Sequence, residues 1–297
     1  MRISMLLRLR LSRLSLPTLR HYFTGALAFT LLSAKVFAQT PEVQSNEAVI
    51  NDVSVIDIVK KAEHAAYYAG DDGRSMARML IVDEQGRKQM RQFTILRKDV
   101  VSETGEDTGD QRMLVFFSRP TEVEGTVFRV EKHASLNSDD DRWLYLPALD
   151  LVKRIAAGDK RTSFVGSHFF YEDVSGRATA QDNFEFIEQT NTHYRLKATP
   201  KDTALVEFSH YVVEIDKANF LPTTINFYKG DNNYRRVEAV SIEVIQGNPT
   251  VVRSKVTDLA SGGYTLMEFR GIEYDIGLPD SIFSERSLRV PPERYVK

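Results

Sequence analysis

The stretch DRWLYLPALDLVKRIAAGDKRTSFVGSHFFYEDVSGR, residues 141–177, holds the one tryptophan of the 297-residue chain. On an extended strand Trp143 and Tyr145 project to one side, and Leu144 and Leu146 to the other. Both sides are therefore apolar. One can meet a core; the other must meet a lid, a partner or a ligand. Pro147 closes the strand or marks it as a sheet edge. Val152, Lys153-Arg154 and Ile155 predict a second short strand with a basic exit. Beyond Gly158, Phe164, Phe169, Phe170 and Tyr171 form a second aromatic cluster.

Outward from this stretch the hydrophobic period is two. Phe93 and Ile95 share a face, as do Phe128 and Val130, Tyr194, Leu196 and Ala198, Val240, Ile242 and Val244, and Met267 and Phe269. Polar residues alternate with them, as in strands with one dry and one wetter side. In 205–216 the alternation slips near His210, which predicts a bulge. Turn residues separate the runs, as at Lys229-Gly230-Asp231 and Ser261-Gly262-Gly263. The pattern predicts roughly ten to twelve strands.

The connections are too short for crossover helices, so the pairing is antiparallel. A helix is expected over 52–69, capped by Asp52 or Ser54. Its apolar stripe is Val55, Ile56, Val59, Ala62, Ala66 and Tyr67, and Gly70 ends it. One helix cannot cover ten strands laid flat. The sheet must curl on itself, closed or half-closed, with the helix plugging or lidding its concave side. The expected class is mainly β: a single curved antiparallel sheet forming a half-open, incomplete barrel.

Residues 1–38 read as a secretory signal: five arginines without an acid, an apolar run from Tyr22 to Ala34, and Val36-Phe37-Ala38 as a cleavage site. Residues 39–51 read as a disordered lead and 52–297 as one domain. Without the leader's six basic residues, 33 basic remain against 41 acidic, a formal net charge of −8. That argues against nucleic acid as a partner. Cysteine is absent, which excludes disulfides, thiol catalysis and thiolate metal sites.

Catalytic signals are weak. Ser167, His168 and Asp173 suggest a triad, but neighbouring side chains on an extended chain point to opposite faces, and no nucleophile elbow is present. The histidines show no metal-ligand spacing. Asp139-Asp140-Asp141 lacks the calcium-loop pattern. Neither a cofactor, a metal nor an enzymatic activity is expected; the residues speak for binding.

Trp143 to Pro147, Lys153-Arg154-Ile155, Ser163 to Ser167 and Phe169 to Asp173 together resemble the outer-membrane lipoprotein-sorting proteins of the LolA/LolB-like superfamily. Pro120 to Thr126, Tyr274 and Pro279 to Ser284 fit the same pattern. His168 departs from it, standing where an acidic residue is expected. The resemblance implies a half-open barrel with short lid helices around an apolar cavity. It also implies shielding of lipid or lipoprotein acyl chains in the periplasm, with transient membrane contact and an inner-membrane RND-type permease as partner. Founding carriers gate the lid with a buried arginine, which no motif here matches.

The energetics agree. A buried methylene contributes about 0.8 kcal/mol, so a long acyl chain gains on the order of 10 kcal/mol before ordering costs. The expected lining is Phe93, Phe128, Trp143, Tyr145, Val240, Ile242, Met267 and Phe269. The competing reading for each is ordinary barrel core. The competing function is an adaptor that docks on a membrane transporter without cargo; a hydrolase using the same groove is a third.

Overall fold

Among the described residues the chain forms a thirteen-stranded antiparallel sheet that curls without closing, and a separate short pair of Val49–Ile50 with Val53–Ser54. The computed structural model describes residues 49, 50, 53–135 and 138–296. The expected signal segment and, apart from Val49 and Ile50, the lead lie outside them. Six strands run outward from the middle of the sheet in chain order: β1 (Asp72–Val82), β2 (Lys88–Val101), β3 (Asp107–Arg119), β4 (Val127–Lys132), β5 (Asp141–Leu146) and β6 (Leu151–Arg154). Seven return from the other edge: β7 (Asp182–Gln189), β8 (His193–Pro200), β9 (His210–Asp216), β10 (Pro222–Lys229), β11 (Asn232–Ile245), β12 (Asn248–Asp258) and β13 (Tyr264–Tyr274).

β13 pairs with β1, joining the two meanders. β6 and β7 are left as free edges. The tight hairpins explain the antiparallel order. At 83–87, for example, Asp83 Oδ1 accepts from the backbone N–H groups of Gln85 and Arg87, at 3.0 and 2.9 Å.

Helix α1 (Val55–Tyr67) begins at Ser54, whose hydroxyl accepts from the Asp57 N–H at 3.2 Å. It is shorter at both ends than the pattern predicts. Its buried residues are Ile58, Val59 and Ala62, while Ile56 is exposed. The i, i+3, i+4, i+7 stripe runs from Val55 rather than Ile56. The expected bulge near His210 is instead the start of β9; the register shift lies further on, at Glu214 and Ile215.

Residues 155–181 connect the two free edges. This strap includes the short helix α2 (Tyr171–Ser175) and a bridge between Ser163 and Phe170. Its Ile155, Phe164, Phe169 and Tyr171 are buried against the inner side of the first meander, with Phe93, Met113, Val115, Phe117, Phe128 and Leu144. α1 covers the inner side of the second meander through Ile58, Val59 and Ala62, which meet Leu196, Tyr211, Val213, Ile215 and Phe227. The outer side of the first meander is dry as well. Leu96, Leu114, Phe116 and Val127 pack there against Leu278, Ile282, Phe283 and Leu288 of the C-terminal segment.

Candidate functional site

The concave side is filled at one place and hollow at another. Under the strap it is solid. The Phe164 ring lies 5.6 Å from Phe117, 5.6 Å from Phe128 and 5.5 Å from Tyr171, and Tyr171 lies 5.1 Å from Phe128. Such tilted and edge-on contacts add to the area these rings bury.

Beside this plug, beneath the C-terminal turns of α1, lies an open cavity of about 350 Å³. That volume falls within the range of small-molecule sites. β2 and β3 supply Phe93, Ile95 and Met113, and β13 supplies Met267 and Phe269. Ile225, Phe227, Val237 and Ala239 come from β10 and β11, and Phe169 and Val174 from the strap. Ala65, Ala66, Tyr67 and Ala69 form the roof. A smaller chamber of about 110 Å³ continues under α1 between Val59, Ala62, Val213 and Ile215. Both chambers are bordered by Ala66, Tyr67, Asp173, Pro222, Ile225 and Phe227.

A buried ionic network anchors the strap. Glu172, 2% exposed, receives Arg161 at 2.7 Å, Arg177 at 3.0 Å and Lys160 at 3.4 Å. Arg161 also pairs with Glu207 at 2.7 Å, and Arg177 with Asp182 at 2.7 Å. Arg235, on β11, holds Asp173. Burial by itself would raise the Glu172 carboxyl; Arg161, Arg177 and Lys160 outweigh it and hold the group at about 2. The network thus ties the strap to the second meander, while the aromatic plug ties it to the first.

The sequence-predicted lining residues divide into three groups. Phe93, Met267 and Phe269 stand on the cavity wall. Phe128 is fully buried in the plug. The remaining four lie elsewhere. Trp143 and Tyr145 lie on the outer side of the sheet: Arg129 stacks on Trp143 at 4.5 Å and donates through Nε to the Phe283 carbonyl at 2.8 Å. With both faces of β5 apolar, the partner of the Trp143 side is the C-terminal segment. Val240 and Ile242 sit where the β11–β12 register shifts, and neither is among the wall residues. Val240, Ile242 and Val244 alternate with Ser241 and Glu243 as expected, but at a period of two they fall on the opposite parity from the wall residues Val237 and Ala239, and Val240 is 49% exposed.

Sequence reading missed the alanines of α1 and the ionic network. The one available signal for the first was the run of small residues Ala65, Ala66 and Ala69, which leaves space where larger side chains would fill it.

Ser167 and His168 do not form a catalytic pair. Ser167 Oγ is engaged with the backbone of Phe169. His168 Nδ1 lies 2.9 Å from the buried Thr265 hydroxyl, which also accepts the His168 N–H. Burial pushes the imidazole below its ordinary pKa. Gly263 makes room for this ring: a Cβ there would stand 2.6 Å from His168 Nε2. Asp139, Asp140 and Asp141 are spent on Arg142, Lys160 and Arg154.

An open antiparallel sheet wrapped over a helix and a strap, hollow at one end, is the fold of the LolA-like proteins. A LolA superfamily protein from Nitrosomonas europaea shares it with a TM-score of 0.60 at 17% identity, over 79% of this chain and 99% of that one. A domain assigned to the outer membrane lipoprotein-sorting proteins, from Vibrio parahaemolyticus, matches with a TM-score of 0.69 at 24% identity, over 79% and 97%. A DUF1329 family protein from Desulfovibrio piger matches with a TM-score of 0.71 at 28% identity, over 78% and 96%. The chain belongs to a family described as an uncharacterized protein, whose model matches residues 109–290. No curated protein matches it.

Proposed function

We propose that this protein is a periplasmic carrier that shields the acyl chains of lipids or lipoproteins in its apolar cavity for transfer toward the outer membrane. The observation that carries the reading is the hollow between α1 and the sheet. Its walls are mostly aliphatic and aromatic, with Arg74, Arg97, Gln111, Glu238 and Glu273 also bordering it, while the neighbouring half of the same sheet is packed with rings under the strap. An adaptor without cargo has no use for an unfilled interior, and each unfilled site costs stability. The fold class shared with LolA superfamily proteins supports the same reading. Among the described residues no helix is long and apolar enough to cross a membrane. An inner-membrane permease of the RND type is the partner this reading calls for, receiving or loading cargo at the cavity mouth.

The test is transfer of a fluorescent acyl lipid from donor to acceptor vesicles across a dialysis barrier. Catalysed transfer by the full mature chain, lost in Phe269→Glu, is the expected result. Capture of a permease by protein that moves no lipid favours the adaptor instead.

A further inference from the structure

We infer that the protein holds a second ligand site, apart from the acyl-chain cavity, which takes an anion: a phosphate or carboxylate joined to a short apolar body. The site is a cleft of about 600 Å³ where β10 ends, β11 begins and β12 ends. That volume also falls within the range of small-molecule sites. The strap and residues 204–207 supply the rest of its walls. Among the described residues none borders both this cleft and the open cavity, so the inference stands apart from the carrier reading.

Arg235 is the observation that points to a ligand. It borders the cleft and is 3% exposed. Its guanidinium is fixed against two rings, 4.2 Å from Phe170 and 5.2 Å from Phe227. Nη2 donates to Asp173 and, at 3.2 Å, to the His168 carbonyl. Nε and Nη1 are buried and have no hydrogen-bond partner among the described residues. Buried donors are nearly always paired, and one left unpaired is unfavourable. An acceptor entering the cleft relieves that cost, and an ionised acceptor is held most strongly.

The sign of the ligand follows from which charges are already engaged. Arg161 is spent on Glu172 and Glu207, and Glu207 also accepts the Tyr234 hydroxyl at 2.6 Å. Asp258 accepts the backbone N–H groups of its own turn, Ala260 and Ser261, at 2.9 and 3.3 Å. Lys229 stands 4.5 Å from the Tyr234 ring, with no carboxylate at ion-pairing distance among the described residues. The groups still unspent are thus mainly donors, and they bring positive charge. Phe170, Leu205, Val206 and Val256 complete the wall and suit an apolar body.

The experiment is calorimetric titration of the mature chain at low ionic strength with phenyl phosphate, benzoate, inorganic phosphate and, as the uncharged control, benzyl alcohol. Saturable binding of phenyl phosphate or benzoate is expected, weaker binding of inorganic phosphate, and none of benzyl alcohol. Arg235→Lys keeps a cation for Asp173 but loses the unpartnered donors, and affinity should fall at least about tenfold. Lys229 is exposed, so Lys229→Gln keeps the fold and should weaken binding about threefold to fivefold. Phe269→Glu should bind the anion as the parent does. Displacement of phenyl phosphate by phosphatidylglycerol vesicles would assign the anion to a lipid headgroup; vesicles without effect would assign it to a free small molecule. Lack of saturable binding, parity of benzyl alcohol or of inorganic phosphate with phenyl phosphate, affinity unmoved in both Arg235→Lys and Lys229→Gln, or loss of binding in Phe269→Glu would each overturn the inference.

Discussion

The two halves of the concave side begin from the same kind of strand and end differently. Phe128 and Phe269 both sit on the dry side of an alternating strand. Phe128 is sealed under the strap's Phe164 and Tyr171, whereas Phe269 borders open space beneath α1. The difference comes from what is laid over the sheet. The strap brings rings into the first half; α1 brings alanines over the second. A residue's role as filler or wall is thus decided by the covering element, not by its own strand.

Several measurements break or sharpen this contrast. The largest effect is expected for Phe164→Ala. Removing the centre of the plug should cost about 3–5 kcal/mol of stability, read by chemical denaturation. Glu172→Gln comes next, at about 3 kcal/mol, since it leaves Arg161, Arg177 and Lys160 short of a buried partner. Acid should act through the same group. Its carboxyl ionises at about 2 in the folded chain against an ordinary 4.5. Its stabilising contribution is therefore complete above pH 4.5 and is lost as the pH falls toward 2, by up to about 3 kcal/mol. In Glu172→Gln that part of the acid transition should flatten.

Phe269→Ala should cost less than Phe164→Ala, because the ring already borders a void and its removal creates less new cavity, yet weaken acyl-chain binding. Equal stability losses for Phe164→Ala and Phe269→Ala would erase the distinction between plug and wall. The smallest effect concerns Trp143. Its emission should stay within a few nanometres on saturation with ligand, because it lies on the outer side of the sheet under Arg129. A large blue shift would place it in the cavity after all.

Much of the architecture was legible in the residues. The period of two in β8 and β13, the short turns, and Pro147 beside an edge strand led to a curled antiparallel sheet. The motifs between Trp143 and Asp173 led to the LolA-like fold. The site was harder to read for definite reasons. β5 is apolar on both faces, so alternation cannot say which face Trp143 shares with the cavity; a C-terminal segment far away in sequence decides it. In β11 the wall is made by Val237 and Ala239, of opposite parity to Val240 and Ile242, and a register shift between 239 and 242 separates the two pairs, so alternation within 240–244 cannot say which side meets the cavity. Phe93 was identified as lining and Phe128 equally so, because a wall and a core use the same side chains. Lys160, Arg161, Glu172 and Arg177 read as ordinary charged loop residues, since their burial depends on β9, β11 and the 204–207 segment meeting them.

The strap has one consequence for how such molecules diversify. In a closed barrel, girth is set by strand number and hydrogen-bond stagger, and changing it means rebuilding the wall. Here the two free edges, β6 and β7, are linked by residues 155–181 rather than by a ladder. That segment works like the string of a bow. Lengthening or shortening it alters the spread of the edges and the bulk held between them while every strand pair stays intact, so interior capacity can drift by insertion or deletion in one loop.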